Sequence, residues 1–113
     1  MPVAERDSTV ETLQAAAAAL GNGTAIDVGG FDALVVDVTG TFVGTVTFEG
    51  TIDDVSYFAV GLKTMADGAA VSTATAPGAF KLPLDAGALS LFRARVSAFT
   101  SGTITVKARK SSE

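Results

Sequence analysis

The stretch Leu34–Gly50, LVVDVTGTFVGTVTFEG, decides the fold. Leu34, Val36 and Val38 alternate with Asp37 and Thr39, and further on Val46 and Phe48 alternate with Thr45, Thr47 and Glu49. A period of two is what a strand needs when one face lies in a core and the other in water. The phrase Gly44-Thr45-Val46-Thr47-Phe48 returns near the end as Gly102-Thr103-Ile104-Thr105-Val106. Each copy follows another alternating segment, LVVDVTGTF or FRARVSAFT, so each reads as the second strand of a hairpin. Glycine admits the turn and the threonines form a β-branched outer face. The copies share no reactive side chain, so the repetition concerns scaffold. Convergence on one hairpin chemistry accounts for it more simply than an internal duplication.

The same alternation continues outward. Ile26 and Val28 flank Asp27, and SYFAVGLK puts Phe58, Val60 and Leu62 on one side. AVSTATAPGAFKLPL supplies one or two short strands around Pro77-Gly78, with Phe80, Leu82 and Leu84 in register and Pro83 marking an edge or a strand end. LFRARVSAF sends Phe92, Ala94, Val96 and Ala98 inward; GTITVKAR does so with Ile104, Val106 and Ala108, and the two read as a closing hairpin about Ser101-Gly102. Short strands punctuated in this way predict an all-β fold, an antiparallel two-sheet β-sandwich of jelly-roll or Ig-like kind over residues 24–110. Residues 111–113 form a tail.

Residues 1–23 are less determinate. Ser8-Thr9-Val10-Glu11 is a capping-box pattern, Gly21 stands where a helix would stop, and Val10, Leu13, Ala17 and Leu20 fall at helical spacing. Propensity therefore predicts a helix over about Thr9–Leu20. The same run of small residues can instead lie extended as an arm, with Val10, Leu13 and Leu20 as its contact residues. Glu5, Asp7 and Glu11 precede the alanines where an export signal wants positive charge, and the run is too short to span a bilayer, so neither export nor a membrane span is expected.

A chain of 113 residues is expected to form one domain, and 48% hydrophobic against 18% charged residues is a folding composition. It has no cysteine and no histidine, which removes disulfides, thiolate zinc sites and the commonest general base. GNG and VGG lack the lysine and helix start of a phosphate loop, and no Gly-x-Ser-x-Gly elbow occurs. Asp53-Asp54, with Asp32 or Asp85, could bind a cation, but acidic residues are at home in turns and the pair reads as an acidic turn. No enzyme, no metal and no cofactor is expected.

Charge is strongly polarised along the chain. Residues 1–85 hold eleven acidic and three basic side chains, a net of −8, whereas residues 86–113 hold one acidic and five basic, a net of +4. In the expected closing hairpin Arg93, Arg95, Lys107 and Arg109 share the outer face beside Lys110. Such cations repel across paired strands unless Asp37 and Glu49 neutralise them or an acidic partner docks there. A net charge of −4 and few aromatics argue against nucleic acid as that partner.

The runs GNGTAIDVGGFDALVVDVTGTFVGTVTFEGTIDD and ATAPGAFKLPLDAGALSLFRARVSAFTSGTITVKAR resemble a family of small structural proteins of tailed bacteriophages. The resemblance spans about Leu13 to Arg109. It implies a β-sandwich in the virion, assembled in the host cytoplasm, acting as a capsid decoration (cement) protein on the major capsid protein or as a tail-associated module. It further implies a homo-oligomer, with a trimer favoured, an extended lead-in at TLQAAAAAL, and no catalytic residue. Where the family commonly carries Trp, this chain has Tyr57 and Phe58. A carbohydrate-binding or adaptor module of the tail or fibre is the alternative reading.

Overall fold

The computed structural model describes residues 10–29, 33–83 and 89–111. Eleven strands follow one another: β1 Val10–Ala17, β2 Ile26–Asp27, β3 Ala33–Thr39, β4 Phe42–Thr51, β5 Tyr57–Ala59, β6 Leu62–Thr64, β7 Ala70–Val71, β8 Thr73–Ala74, β9 Gly78–Pro83, β10 Leu91–Gly102 and β11 Ile104–Ser111. They form a six-stranded sheet in the order β1-β11-β3-β9-β6-β7 and a five-stranded sheet containing β2-β10-β4-β5, with β8 also pairing on β4. Every described ladder is antiparallel, and no helix occurs among the described residues. The protein is an all-β sandwich, as the alternation predicts.

The core is the meeting of the two inner faces. Leu34, Val36 and Val38 of β3 and Ile104, Val106 and Ala108 of β11 face Val46 and Phe48 of β4 and Phe92, Ala94 and Val96 of β10. Phe48 sits at the centre, its ring centroid 5.2 Å from that of Phe80 and 6.3 Å from that of Phe92. Burying each such side chain contributes about 1.5–3 kcal/mol, the main favourable term for a chain without cross-links.

The expected hairpins are not hairpins. β3 lies in the six-stranded sheet and β4 in the five-stranded one; β10 and β11 are divided in the same way. The chain therefore crosses from sheet to sheet at Gly40-Thr41 and crosses back at Gly102-Thr103. The two crossovers lie side by side: β3 pairs with β11, β4 pairs with β10, and Thr103 N donates to Thr41 O at 3.0 Å. Each glycine has a positive φ, 113° at Gly40 and 93° at Gly102. A Cβ on Gly40 would stand 2.3 Å from Thr103 O, and one on Gly102 would stand 2.0 Å from Thr41 O. The structural counterpart of Gly102-Thr103 is thus Gly40-Thr41, two interlocked crossovers that each need a backbone only glycine supplies, whereas Gly44 of the repeated phrase lies inside β4 opposite Phe99. Two true hairpins occur elsewhere, β4–β5 through residues 52–56 and β6–β7 through residues 65–69.

The helix expected over Thr9–Leu20 is overruled where it is described. Val10–Ala17 is a strand paired with β11 of its own chain, with register shifts between Thr12 and Gln14 and between Gln14 and Ala17. These bulges place Leu13 and Gln14 both inside. Gln14 Nε2 donates to Ala94 O at 2.8 Å and to Gly21 O at 3.1 Å, so β1 of one sheet is tied to β10 of the other. Tertiary pairing has outweighed helix propensity. Three smaller differences follow from breaks in period. Phe58 is 45% exposed while Leu62 is buried, because the chain changes sheet between β5 and β6. Ala98 is exposed and Phe99 packs on the core, because β10 bulges between Val96 and Ala98. β9 ends at Pro83, and Leu84 lies outside the described residues.

Candidate docking faces

Because β10 and β11 belong to different sheets, the cations expected on one surface are divided between two. Arg93 and Arg95 project from the outer face of the five-stranded sheet, where Glu49 stands opposite Arg93 across β4. Arg93 donates to Glu49 Oε1 through Nε at 2.9 Å and Nη2 at 2.8 Å, and Arg95 Nε donates to Oε2 at 3.1 Å. The Arg93 guanidinium also lies 3.6 Å from the centroid of the Tyr57 ring. Glu49 is only 8% exposed, so the two arginines complete a half-buried ion cluster and shield its carboxylate. Both cations are engaged inside the chain, Glu49 balancing one of their two charges, and one face of the Tyr57 ring is already occupied.

Lys110 points inward from β11. Its Nζ donates to Asp27 O at 2.6 Å and pairs with Glu11 at 3.2 Å, joining β11 to β2 and β1. Lys107 and Arg109 remain on the outer face of the six-stranded sheet, and there the fold adds two cations that reading along the chain did not connect with them. Strand register sets Val10, Arg109, Val35, Lys81, Lys63 and Ala70 in one row across all six strands. Lys107 stands in the next row between Thr12 and Asp37. All nine of these residues are exposed. Lys63 and Lys81 are direct cross-strand partners, an arrangement that like charges oppose. Among the described residues, Lys63, Lys81, Lys107 and Arg109 make no ion pair or side-chain hydrogen bond. Four cations thus face one carboxylate, Asp37. At about 4.8 Å per strand, Arg109 to Lys63 spans roughly 14 Å. Sequence reasoning missed Lys63 and Lys81 because only the register joins residues so far apart in the chain.

A shallow hollow of about 190 Å³ lies in this face, lined by Val10, Val35, Asp37, Lys107, Ala108 and Arg109. Val10 and Val35 leave 56% and 40% of their surface in water. Of the expected N-terminal contacts, then, Val10 opens onto the basic face, Leu13 is buried in the chain's own core, and Leu20 is 64% exposed.

The Asp53-Asp54 turn is a rigid knob. Asp53 Oδ1 accepts from Thr51 Oγ1 at 3.0 Å, Val55 N at 2.9 Å and Ser56 N at 2.8 Å. The backbone donors of Ser56 and Val55, with the Thr51 hydroxyl, hold its carboxyl below the usual carboxylate range. Asp54 adopts a φ of 65° and accepts from the Ser90 hydroxyl. The turn holds Ile52 and Val55 in water, 66% and 79% exposed. Asp32 and Asp85 lie outside the described residues. No group of three or more metal-ligating side chains occurs among the described residues, and none of their buried side-chain polar atoms lacks a partner. No helix among them is long and apolar enough to cross a membrane.

The whole arrangement has counterparts. The crystal structure of the SPBc2 prophage-derived protein YomS matches with a TM-score of 0.85 at 20% identity, covering 99% of each chain. The crystal structure of the PBSX exported protein XepA matches with a TM-score of 0.89 at 21% identity, covering 99% of this chain and 40% of that one. The present chain therefore spans about 40% of the length of that XepA. At these identities the likeness establishes a shared fold. No curated protein matches. The XepA family model matches residues 7–110, nearly the whole sandwich with both crossovers and both outer faces, and the chain belongs to the XepA family.

Proposed function

We propose that this chain is a non-enzymatic structural protein of a phage particle, a decoration protein of the head in preference to a tail or fibre module. It grips its neighbours through the outer face of the six-stranded sheet. The observation that carries this reading is the set Lys63, Lys81, Lys107 and Arg109 on one sheet face, against Asp37 alone among the described residues. Like charges side by side cost stability in the isolated chain, and an acidic neighbour converts that cost into attraction. Each such contact is weak, and many copies on one lattice bind tightly through multivalency. The lack of histidine and cysteine in the sequence, and the structural roles taken by the buried Glu49 and Gln14, support the non-enzymatic reading. Arg93 occupies one face of the Tyr57 ring, which weighs against a sugar-stacking platform there.

The test is occupancy of purified phage particles by wild-type protein and by a Lys63→Glu/Lys81→Glu variant. The reading expects the variant to fold and to leave the particles; unchanged occupancy contradicts it.

A further inference from the structure

We infer that Asn22, in the loop between β1 and β2, is the site at which this chain ages chemically: its side-chain amide is lost through a succinimide, leaving an aspartyl or isoaspartyl residue. The sequence has two steps at which glycine follows a side chain able to form that ring, Asn22-Gly23 and Asp67-Gly68. The reaction joins the backbone nitrogen of the glycine to Cγ of the residue before it, and glycine, lacking a side chain, obstructs that approach least. At Asn22 the N–Cγ bond forms, the Cγ–Nδ2 bond breaks, and ammonia leaves with the proton of the backbone amide. Solvent water then adds to either carbonyl of the ring and breaks that carbonyl's bond to nitrogen, which reopens the chain.

The fold treats the two steps oppositely. At Asp67-Gly68 both reacting groups are engaged: Gly68 N donates to Thr64 O at 2.9 Å, and Asp67 Oδ1 accepts from the Thr64 hydroxyl and from Ala69 N. The same donors hold the Asp67 carboxyl below its usual range, and an ionised carboxylate is a poor electrophile. At Asn22-Gly23 both groups are free. Asn22 is exposed, and among the described residues neither its side chain nor Gly23 N makes a hydrogen bond. Nor can another residue stand in for the glycine. Gly23 has a φ of 70°, and a Cβ there would lie 2.3 Å from Leu13 O and 2.6 Å from Gln14 Nε2. The packing that seats β1 therefore demands the very neighbour that leaves Asn22 open to cyclisation.

The lesion falls between two fixed points. Gly21 exchanges backbone hydrogen bonds with Val96 and accepts from Gln14 Nε2, while Thr24 N donates to Leu13 O at 2.9 Å. An isoaspartyl linkage runs the main chain through the former side chain and adds a carbon between these anchors, so the tie of β1 to β10 loosens.

The experiment holds purified full-length protein for weeks at mildly acidic and mildly alkaline pH, with an Asn22→Gln variant and urea-denatured wild type beside it. Peptide mapping by mass spectrometry locates each conversion and separates isoaspartyl from aspartyl products; circular dichroism checks that the variant is folded. Folded wild type is expected to convert at Asn22, faster at the higher pH because the attacking nitrogen must lose its proton, and to keep Asp67 unchanged. In urea, where the Thr64 and Ala69 contacts are gone, Asp67 is expected to isomerise as well. Exchange of the Thr24 amide is expected to be about tenfold faster in aged wild type than in fresh protein, the equivalent of one hydrogen bond, and unchanged in aged Asn22→Gln. An Asn22 that stays intact in the folded chain overturns the inference, and so does a folded Asp67 that converts as fast as Asn22. Conversion at Asn22 with unaltered Thr24 exchange would refute the loosening of β1.

Discussion

Neutralising Glu49 separates the cations that hold the fold from those that are spare. In Glu49→Gln the shape survives but the charge on which Arg93 and Arg95 converge is lost. Arg93 makes two contacts of 2.8 and 2.9 Å from a side chain only 17% exposed, and hydrogen bonds to charged groups in such settings contribute about 1.5–3 kcal/mol. Arg95 makes one contact of 3.1 Å and is 37% exposed, so solvent screening leaves it about 0.5 kcal/mol or less. The expected loss is about 2 kcal/mol. At about 2.1 cal/mol/K of unfolding entropy per residue, 113 residues give a fall in Tm of about 8 °C. Asp37→Asn, on the exposed face opposite Lys107, serves as the control and should move stability by less than about 0.5 kcal/mol. Denaturant unfolding of the two variants beside wild type reads both quantities. A Glu49→Gln protein as stable as the control would refute the assignment of Arg93 and Arg95 to the fold, and with it the choice of the opposite sheet for docking.

Other perturbations probe other parts of the account. Gly102→Ala places a Cβ 2.0 Å from Thr41 O in a left-handed backbone, and chemical denaturation should show a loss of about 3–4 kcal/mol, whereas Gly61→Ala, with open space around it, should cost little. Phe48→Ala removes the ring between Phe80 and Phe92 and should cost about 3–5 kcal/mol in the same assay. Gln14→Leu removes the side-chain donor to the Ala94 carbonyl and one of two donors to the Gly21 carbonyl, which keeps Val96 N; the expected loss is about 1–3 kcal/mol, with faster hydrogen exchange confined to β1 and the facing part of β10. Asp53 has a folded pKa below its ordinary 3.8, so the order it gives the knob is present above that value and fades as pH falls through the lowered one. An acid titration followed by amide NMR should therefore move Val55 and Ser56 below pH 3.8, and an Asp53→Asn protein should lack that transition.

The strands were legible in the sequence because alternation reports which face of a strand is buried. Leu34, Val36, Val38, Ile104, Val106 and Ala108 all lie where the alternation puts them. Alternation does not report which strand lies alongside. A Gly-Thr step between two alternating segments fits a hairpin and a sheet-to-sheet crossover equally well, and only the contact of Gly40 with Thr103, and of Gly102 with Thr41, separates them. The misplaced pairing carried through to the candidate site. Adjacency in the chain groups Arg93 and Arg95 with Lys107 and Arg109, whereas nothing in the sequence connects Lys63 and Lys81, each far from β11, with that set. At the N-terminus a capping box and an alanine run argued for a helix, and a buried Leu13-Gln14 pair on β11 outweighed both. The bulges that permit it leave no periodic trace in a run of small residues.

The most direct test of the central claim is cryo-electron microscopy of the intact phage particle at a resolution that orients this sandwich. The account predicts ordered copies on the head exterior, with the Arg109–Lys81–Lys63 row turned toward acidic surfaces of neighbouring subunits. Copies whose six-stranded sheet faces solvent while the Arg93–Glu49–Arg95 cluster makes the contacts would contradict it, as would particles that contain no copy of the chain.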